Sequence, residues 1–539
     1  MKPLGLRDVI GPIMIGPSSS HTAGACRIAL MARSLLSAPP CAVEFVLYGS
    51  FAHTYRGHGT DRALTAGILG CLPDDERLRE AFDLAADMGV DVTISPDTVT
   101  EVTHPNTVDV RVRDERGDFM EVRGVSIGGG AAKIVRIDGI DVDVTGAYHN
   151  MIVYQNDAPG VLAHITACLS GRGVNIGTVR LHRTEKAGDA FTVLELDDVV
   201  SDEVIARILE FPAIKSVRFI PAPSLSRPAD AITPVMYPAS VRKTFQQLDF
   251  ANAEELLAYC REEGVAISRA FADREEALMS TRPAEEVTTE AYLDHVLQVM
   301  RTSATRPLSQ AAPSMGGLIG GEAQRVAQLG DKGLLSPLFW RMSAYALAVM
   351  ETNASMGCIV AAPTAGSSGV LPAVLMALQD TFSFSHRQMR DAVLNAGAIG
   401  YLITRNATVA GAEGGCQAEI GSASAMAASA AAELMGASPA ACLHAASTAI
   451  SNTLGMVCDP IGGLVEAPCQ MRNASAASNA LIAAQCALAG IAHIAPFDET
   501  VDAMYRVGRA LPAELRETAL GGMATCPSCV AFDVQLSKA

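Results

Sequence analysis

The sequence predicts a multidomain protein: an α/β domain over 1–148, a small β-α-β-β-α-β domain over 149–222, a linker at 223–234 and an all-α domain over 235–539. Three observations predict it. At 539 residues the chain exceeds what one ordinary core holds. Up to residue 222, short β-branched runs alternate with turn residues and amphipathic segments. Beyond 235 the pattern turns helical and rich in Ala, Gly and Ser, small residues that let helices approach closely.

In the first region a Gly/Ser/His loop, 16–24, leads into a predicted helix at 25–36, where Ala, Ile, Leu and Met recur at helical spacing. Residues 43–48 read as a strand. Residues 108–112 and 120–127 alternate around Asp114-Glu-Arg-Gly-Asp118, a hairpin signature, and Gly128-Gly-Gly130 follows as a permissive turn. In the second region a strand at 151–155 meets Asn156-Asp-Ala-Pro-Gly160, with proline marking a helix start. The helix 161–169 ends at Gly171–Gly173, strands follow at 175–182 and 190–196, then a helix at 201–210 and a strand at 214–220. Pro221-Ala-Pro223 and Pro228 punctuate the linker.

Hydrophobic residues make up 49% and charged residues 18%, a globular balance. With 41 basic against 58 acidic residues the net charge is −17, which argues against nucleic-acid or anionic-membrane partners. Three stretches lack charge, 352–379, 434–458 and 473–497, but Ala, Ser, Gly and Asn fill them, so buried helices and loops are expected rather than membrane spans. The opening residues carry neither the compact apolar run nor the cleavage site of a secretory signal, so export is not expected. With thirteen cysteines, an odd number, the expectation is a cytoplasmic protein with reduced thiols that serve as small hydrophobes or ligands.

Cys416, Cys458 and Cys469 sit among Gly and Pro rather than on helix faces, where the backbone is free to bring thiolates to one point. Intervals of 42 and 11 residues fit no C-x-x-C zinc pattern. The surrounding motifs are more specific. Met356-Gly-Cys-Ile-Val-Ala-Ala-Pro-Thr-Ala-Gly-Ser-Ser-Gly369, Gly415-Cys-Gln-Ala-Glu419, Cys458-Asp-Pro-Ile-Gly-Gly-Leu-Val-Glu-Ala-Pro-Cys469 and Ser314-Met-Gly-Gly-Leu-Ile-Gly-Gly321 resemble the catalytic chain of the iron–sulfur-dependent L-serine dehydratases. Ile15-Gly-Pro-Ser-Ser-Ser-His-Thr-Ala-Gly24, Gly57-His-Gly-Thr-Asp61 and Ser126-Ile-Gly-Gly-Gly130 resemble the other chain of that family, here fused in front. Residues 149–222, with their Asn156-Asp-Ala-Pro-Gly-Val-Leu162 turn, resemble the ACT domain, a ferredoxin-like amino-acid-sensing module.

The resemblance implies deamination of L-serine to pyruvate and ammonia, and a 4Fe–4S cluster bound by Cys416, Cys458 and Cys469 with one iron free of protein thiolate. It also implies a homo-oligomer with an amino-acid effector at the ACT domain, where Asn156, Asp157, Gly160 and Val161 form the candidate loop. Pyridoxal phosphate is not expected, because Lys243, Lys332 and Lys538 are the only lysines after residue 223 and none has a cofactor-binding context. Nor does Gly128–Gly130 complete a nucleotide fingerprint.

His21 and His58, flanked by Gly and Ser, are expected to be accessible loop histidines with near-neutral pKa; either bonds the loop backbone or serves as base at the cluster pocket. Ser18, Ser19, Ser20, Thr364, Gly366, Ser367 and Ser368 offer hydroxyls and amides for a substrate carboxylate, or else simple turn chemistry. Cys26, Cys41, Cys71, Cys168, Cys260, Cys442 and Cys486 read as packing residues, and Cys358 as structural or pocket-lining. Cys526-Pro-Ser-Cys529 leaves open a redox pair, half a zinc site or a C-terminal cluster ligand; the ten residues beyond it weaken the last. Two other readings compete with the dehydratase: an L-cysteine desulfidase-like enzyme, and a non-enzymatic amino-acid or oxygen sensor.

Overall fold

The computed structural model describes residues 3–36, 38–145, 148–183, 185, 188–220, 244–280 and 288–536, with side chains to 531. The expected linker at 223–234 lies outside the described residues.

The N-terminal region is α/β. Strands β1 (Ile13–Ile15), β2 (Pro40–Tyr48), β3 (Asp91–Asp97), β4 (Asn106–Asp114), β5 (Phe119–Gly128), β6 (Ala131–Ile137) and β7 (Ile140–Val144) are separated early on by the helices Ala25–Ser34 and Thr60–Ile68. Six of them form one sheet in the order β3-β2-β4-β5-β6-β7. The pair β2/β3 is parallel and the remaining pairs are antiparallel. Alternation on β4 and β5 places Val108, Val110, Val112 and Val122 in the core beneath the helix Ala25–Ser34. Gly124 sits where a Cβ would lie 2.3 Å from Ile28 Cγ2, so glycine there lets helix and sheet touch.

Strands β8 (His149–Asn156), β9 (Ile176–Arg183), β10 (Asp189–Leu196) and β11 (Ile214–Ile220) alternate with the helices Val161–Ser170 and Asp202–Leu209 in the expected order. They make an antiparallel sheet ordered β11-β8-β10-β9. Both helices cover one face, burying Met151, Val153, Val161, Ile165, Val204 and Ile208. From the other face Ile152, Val193 and Ile220 join the core of the six-stranded region.

The C-terminal half is helical. Its helices start on caps: Thr288, Ser385 and Ser438 each accept from the backbone N–H three residues on. The Ala-rich helix Ser422–Leu434 is buried on every side from 422 to 432, the signature of a central helix. Helices His386–Asn406, Pro439–Ser451, Cys469–Leu488 and Val370–Phe382 surround it. Among the described residues no helix is long and apolar enough to cross a membrane.

A purely helical reading of this half fails in one place. Cys358–Val360 is a strand, β12, pairing antiparallel with β1, with Ile15 opposite Cys358. Leu6 and Val9 sit deep in the helical core, where Gly397 and Gly400 leave room: a Cβ would lie 2.6 Å from Leu6 Cδ1 and 2.3 Å from Val9 Cγ1. The two halves are joined through these contacts.

Candidate active site

Cys416 follows Gly415, whose φ of +73° is open chiefly to glycine, and a Cβ there would meet Met456 O at 2.9 Å. Cys458 lies in an extended loop, its N–H donating to Leu515 O and its carbonyl accepting from Glu517 N. Cys469 opens the helix Cys469–Leu488. All three are buried, at 3%, 4% and 7% exposure. The Sγ atoms of Cys416 and Cys458 and a carboxylate oxygen of Glu419 lie within 4.8 Å of one another, and Cys469 is not within that set. Cys469 is nonetheless close enough for the charge of Cys416 to act on its thiol. A hydrogen bond to Cys416, then burial, holds the Cys458 thiol well above its ordinary value; burial, then Cys416, does the same to Cys469. Gathering thiolates in a buried pocket is unfavourable until a cation neutralises them, so this soft donor set fits an iron–sulfur cluster.

Two carboxyls that the sequence reasoning passed over face the same pocket. Burial pushes Glu419 up to about 7, against a hydrogen bond with Thr364. Burial and the charge of Glu419 push Glu517 up to about 8, while Ala412 N donates to it. Glu517 holds φ of +61°, uncommon for a residue with a side chain.

The loop 364–368 packs directly on this group. Thr364, Ser367 and Ser368 are buried, and a Cβ on Gly366 would touch Glu419 Oε1 at 3.4 Å. Thr364 Oγ1 and Ser367 Oγ are 3.0 Å apart, while the Ser368 hydroxyl is turned toward Met350 Sδ. Two asparagines fix the loop. Asn473 Nδ2 donates to Gly366 O and Cys469 O, each at 2.9 Å, and its Oδ1 accepts from Gly369 N. Asn353 Nδ2 donates to Ala365 O at 3.0 Å and to Pro17 O at 3.4 Å, tying this loop to the serine loop of the N-terminal half.

In that serine loop the Ser18 hydroxyl accepts from His21 N at 3.0 Å. His21 Nδ1 lies 3.0 Å from Ser20 Oγ, and Nε2 lies 2.8 Å from Ser50 Oγ. Its ring is 4.4 Å from that of His58. Both nitrogens of His58 are buried without a hydrogen-bond partner among the described residues. The expectation of accessible, near-neutral histidines is corrected here. Exposure is 2% at His21 and 1% at His58. Burial lowers both imidazoles, His21 further through His58, and His58 to about 4. The flanking glycines serve close packing instead: a Cβ on Gly57 would lie 2.6 Å from Leu464 Cδ2, and one on Gly59 3.2 Å from Met356 Sδ.

Leu464 leads into Glu466, which the loop 314–318 encircles. Its carboxylate accepts from Ser314 Oγ at 2.5 Å, Gly316 N at 2.7 Å and Leu318 N at 3.0 Å. A Cβ on Gly316 would meet Leu464 Cδ1 at 2.3 Å, which accounts for glycine in that motif. This buried, fully bonded carboxylate fixes the approach to Cys469.

The remaining predicted residues lie elsewhere. Cys358 pairs in β12 and packs on the α/β core, a structural position. Cys26, Cys71, Cys168, Cys260 and Cys442 are buried and Cys41 and Cys486 partly so. Cys526 and Cys529 are partly buried at the start of the helix Pro527–Leu536, the N–H of Cys529 donating to Cys526 O. In the effector candidate loop Gly160 has φ of +91°, Asp157 pairs with Arg183, Asn156 is exposed and Val161 is buried. A cavity of about 570 Å³ between the six- and four-stranded sheets, lined by Met120, Asp138, Tyr154, Phe191 and Arg218 among others, contains none of these four.

A buried group of thiols and carboxyls packed against a hydroxyl loop, and tied through Asn353 to a serine–histidine loop of the other half, is the arrangement of an enzyme site. Comparison with known proteins gives the family: the serine dehydratase beta-chain model matches residues 9–135 and the alpha-chain model matches 246–524. The chain is 46% identical to the L-serine dehydratase alpha chain of Peptoniphilus asaccharolyticus over 51% of its length and 93% of that protein. It is 31% identical to the L-serine dehydratase of Streptomyces coelicolor, over 95% of this chain and 96% of that one. L-serine dehydratase 2 of Escherichia coli gives the same 31% over the same shares. The chain belongs to the serine dehydratase family, with the beta part fused ahead of the alpha part.

Proposed function

We propose that the chain is a lyase converting L-serine to pyruvate and ammonia with the help of a 4Fe–4S cluster. The observation that carries the reading is the meeting of the cysteine group with the 364–368 loop and, through Asn353, with the serine–histidine loop. Cys416, Cys458 and Cys469 would hold the cluster. When bound it supplies an electrophilic iron that stabilises the departing serine hydroxyl, otherwise a poor leaving group.

The chain's own residues do the rest. Hydroxyls and amides of Ser18, Ser19, Ser20, Thr364, Gly366, Ser367 and Ser368 hold the substrate carboxylate; burial of Ser18, Ser19, Thr364, Ser367 and Ser368 supports a site closed to bulk water. His21 or His58 takes the α-proton. Their lowered pKa values keep the imidazoles neutral at pH 7, the form that accepts a proton. Loss of water leaves aminoacrylate, which tautomerises and hydrolyses to pyruvate and ammonia.

Residues 1–148, 149–222 and 235–539 act as beta-type, ACT and catalytic domains in a cytoplasmic homo-oligomer. The β-α-β-β-α-β order and the glycine-ended turn at 156–160 support the ACT reading. Its effector is serine, held at Asn156, Asp157, Gly160 and Val161, and the rate curve is sigmoidal. A hyperbolic curve from the intact enzyme removes that regulation.

The decisive experiment is anaerobic purification with iron, sulfide and pyruvate measured on one sample. About four irons per chain, with turnover of L-serine that is lost in air, is the expected result. Iron-free protein that still forms pyruvate overturns the cluster reading. Cluster without turnover of serine moves the function to another amino acid, cysteine first, or to sensing.

A further inference from the structure

Arg472, one turn into the helix that Cys469 opens, brings a single guanidinium nitrogen to all three cysteine segments. Its Nη1 lies 3.6 Å from Cys416 Sγ, 2.9 Å from the carbonyl of Val457 and 2.7 Å from Asp459 Oδ1. Val457 and Asp459 flank Cys458, so the cation is fixed between the sulfur of one candidate ligand and the backbone of the second, on the helix of the third.

Asp459 is itself fastened. It is 2% exposed, and its other oxygen accepts from Met523 N at 2.7 Å. The neighbouring Gly522 has φ of +60°, and a Cβ there would lie 2.3 Å from Asp459 Oδ2. Glycine is thus required both by the backbone angle and by the space. The same C-terminal segment holds the Cys458 backbone through Leu515 O and Glu517 N, and Arg516 Nη1 reaches Glu413 O three residues ahead of Cys416. Residues 515–523 form a strap across the cysteine pocket, with Asp459 and Arg472 as its fastening.

We propose that Arg472 is a positioning residue for the Cys416 thiolate, oriented by Asp459 and the Gly522–Met523 turn, and that it governs how firmly the pocket keeps its cluster and at what potential. This rests on the cluster reading above. An N–H donor and a fixed positive charge beside a ligand sulfur stabilise the more reduced, more negative state, raising the reduction potential and slowing ligand loss. A lysine substitutes only in part: its ammonium keeps the charge but sits on a flexible, strongly hydrated stem, whereas the guanidinium nitrogen that meets sulfur, carbonyl and carboxylate is held at the end of a rigid plane.

The test compares wild type with R472M, R472K and D459N, all loaded anaerobically to equal iron content. Two readouts besides turnover decide it: the rate at which a chelator bleaches cluster absorbance, and the cluster midpoint potential followed by electron paramagnetic resonance. R472M is expected to lose cluster about 10-fold faster or more and to shift to a more negative potential. R472K shifts less, and D459N loses cluster faster with the arginine still present. R472M matching wild type in both readouts overturns the proposal. Should R472M fail to fold, R472K and D459N carry the test, and wild-type behaviour in both overturns it equally. Wild type that takes up no iron instead removes the cluster reading itself, so the two failures are distinct.

Discussion

Replacing Cys416, Cys458 or Cys469 with serine is expected to abolish bound cluster and to lower pyruvate formation at least ~1,000-fold, equivalent to about 4 kcal/mol of transition-state stabilisation. The three thiols come from separate segments: a glycine-led turn, an extended loop and a helix start. None can move to take over for another. A serine hydroxyl is a hard, weakly acidic donor and a poor replacement for a soft thiolate on iron. The necessary control is C442S. Cys442 is also buried, at 0% exposure, but lies in the helical core. Its serine variant places a hydroxyl among apolar neighbours and should lose about 1–3 kcal/mol of stability, with iron content and turnover unchanged. Iron counting, pyruvate assay and thermal melting of the four variants separate the two patterns. A C416S protein that keeps its iron and more than about a tenth of wild-type turnover would remove that cysteine from the ligand set.

Much of this architecture could be read from local sequence, and the reason is physical. The hairpin β4/β5 and the whole of β8 to β11 with their helices are set by period-two alternation, glycine turns and caps, all within a few residues. The pairing of Ile13–Ile15 with Cys358–Val360, and the seating of Leu6 and Val9 among helices, depend on partners from the opposite end of the chain. Nothing local encodes them. The candidate site divides the same way. Cysteines and hydroxyl loops announced themselves by residue type, whereas Glu419, Asn353, Asn473 and Arg472 lie inside helical or near-helical stretches where polar residues usually face solvent. Asn353 and Asn473 had one legible signal, an amide at or near the start of long uncharged runs, 352–379 and 473–497. Such a group must be bonded if buried. The histidines depart from their expected exposure for a physical reason. Glycine beside a side chain can leave it open to solvent, but Gly57 and Gly59 admit Leu464 and Met356 to contact, and the result is enclosure.

That enclosure makes the second large effect predictable in detail. H58A and H21A are each expected to lower turnover about 100- to 10,000-fold, with cluster absorbance intact. His58 has no hydrogen-bond partner for either ring nitrogen among the described residues. A buried unpaired polar group of that kind costs about 1–3 kcal/mol, and a substrate proton is the partner that would repay it. Its pKa of about 4 fixes the sign of the acid response. Between its ordinary value near 6.5 and 4, the unfolded chain takes up a proton that the folded chain refuses. Stability is therefore lost as pH falls through that window, by roughly 3 kcal/mol at full extent. Urea unfolding at pH 7 and pH 5 should show this loss shrinking in H58F, which keeps a ring of similar size and cannot titrate. With centroids 4.4 Å apart and planes tilted by 38°, the two imidazoles are expected to work as one unit. The H21A/H58A double variant should then be little worse than either single one, because parts of one catalytic device are not additive. Near-normal turnover in both single variants would place the base elsewhere, whereas multiplied losses in the double variant would assign the two rings separate tasks.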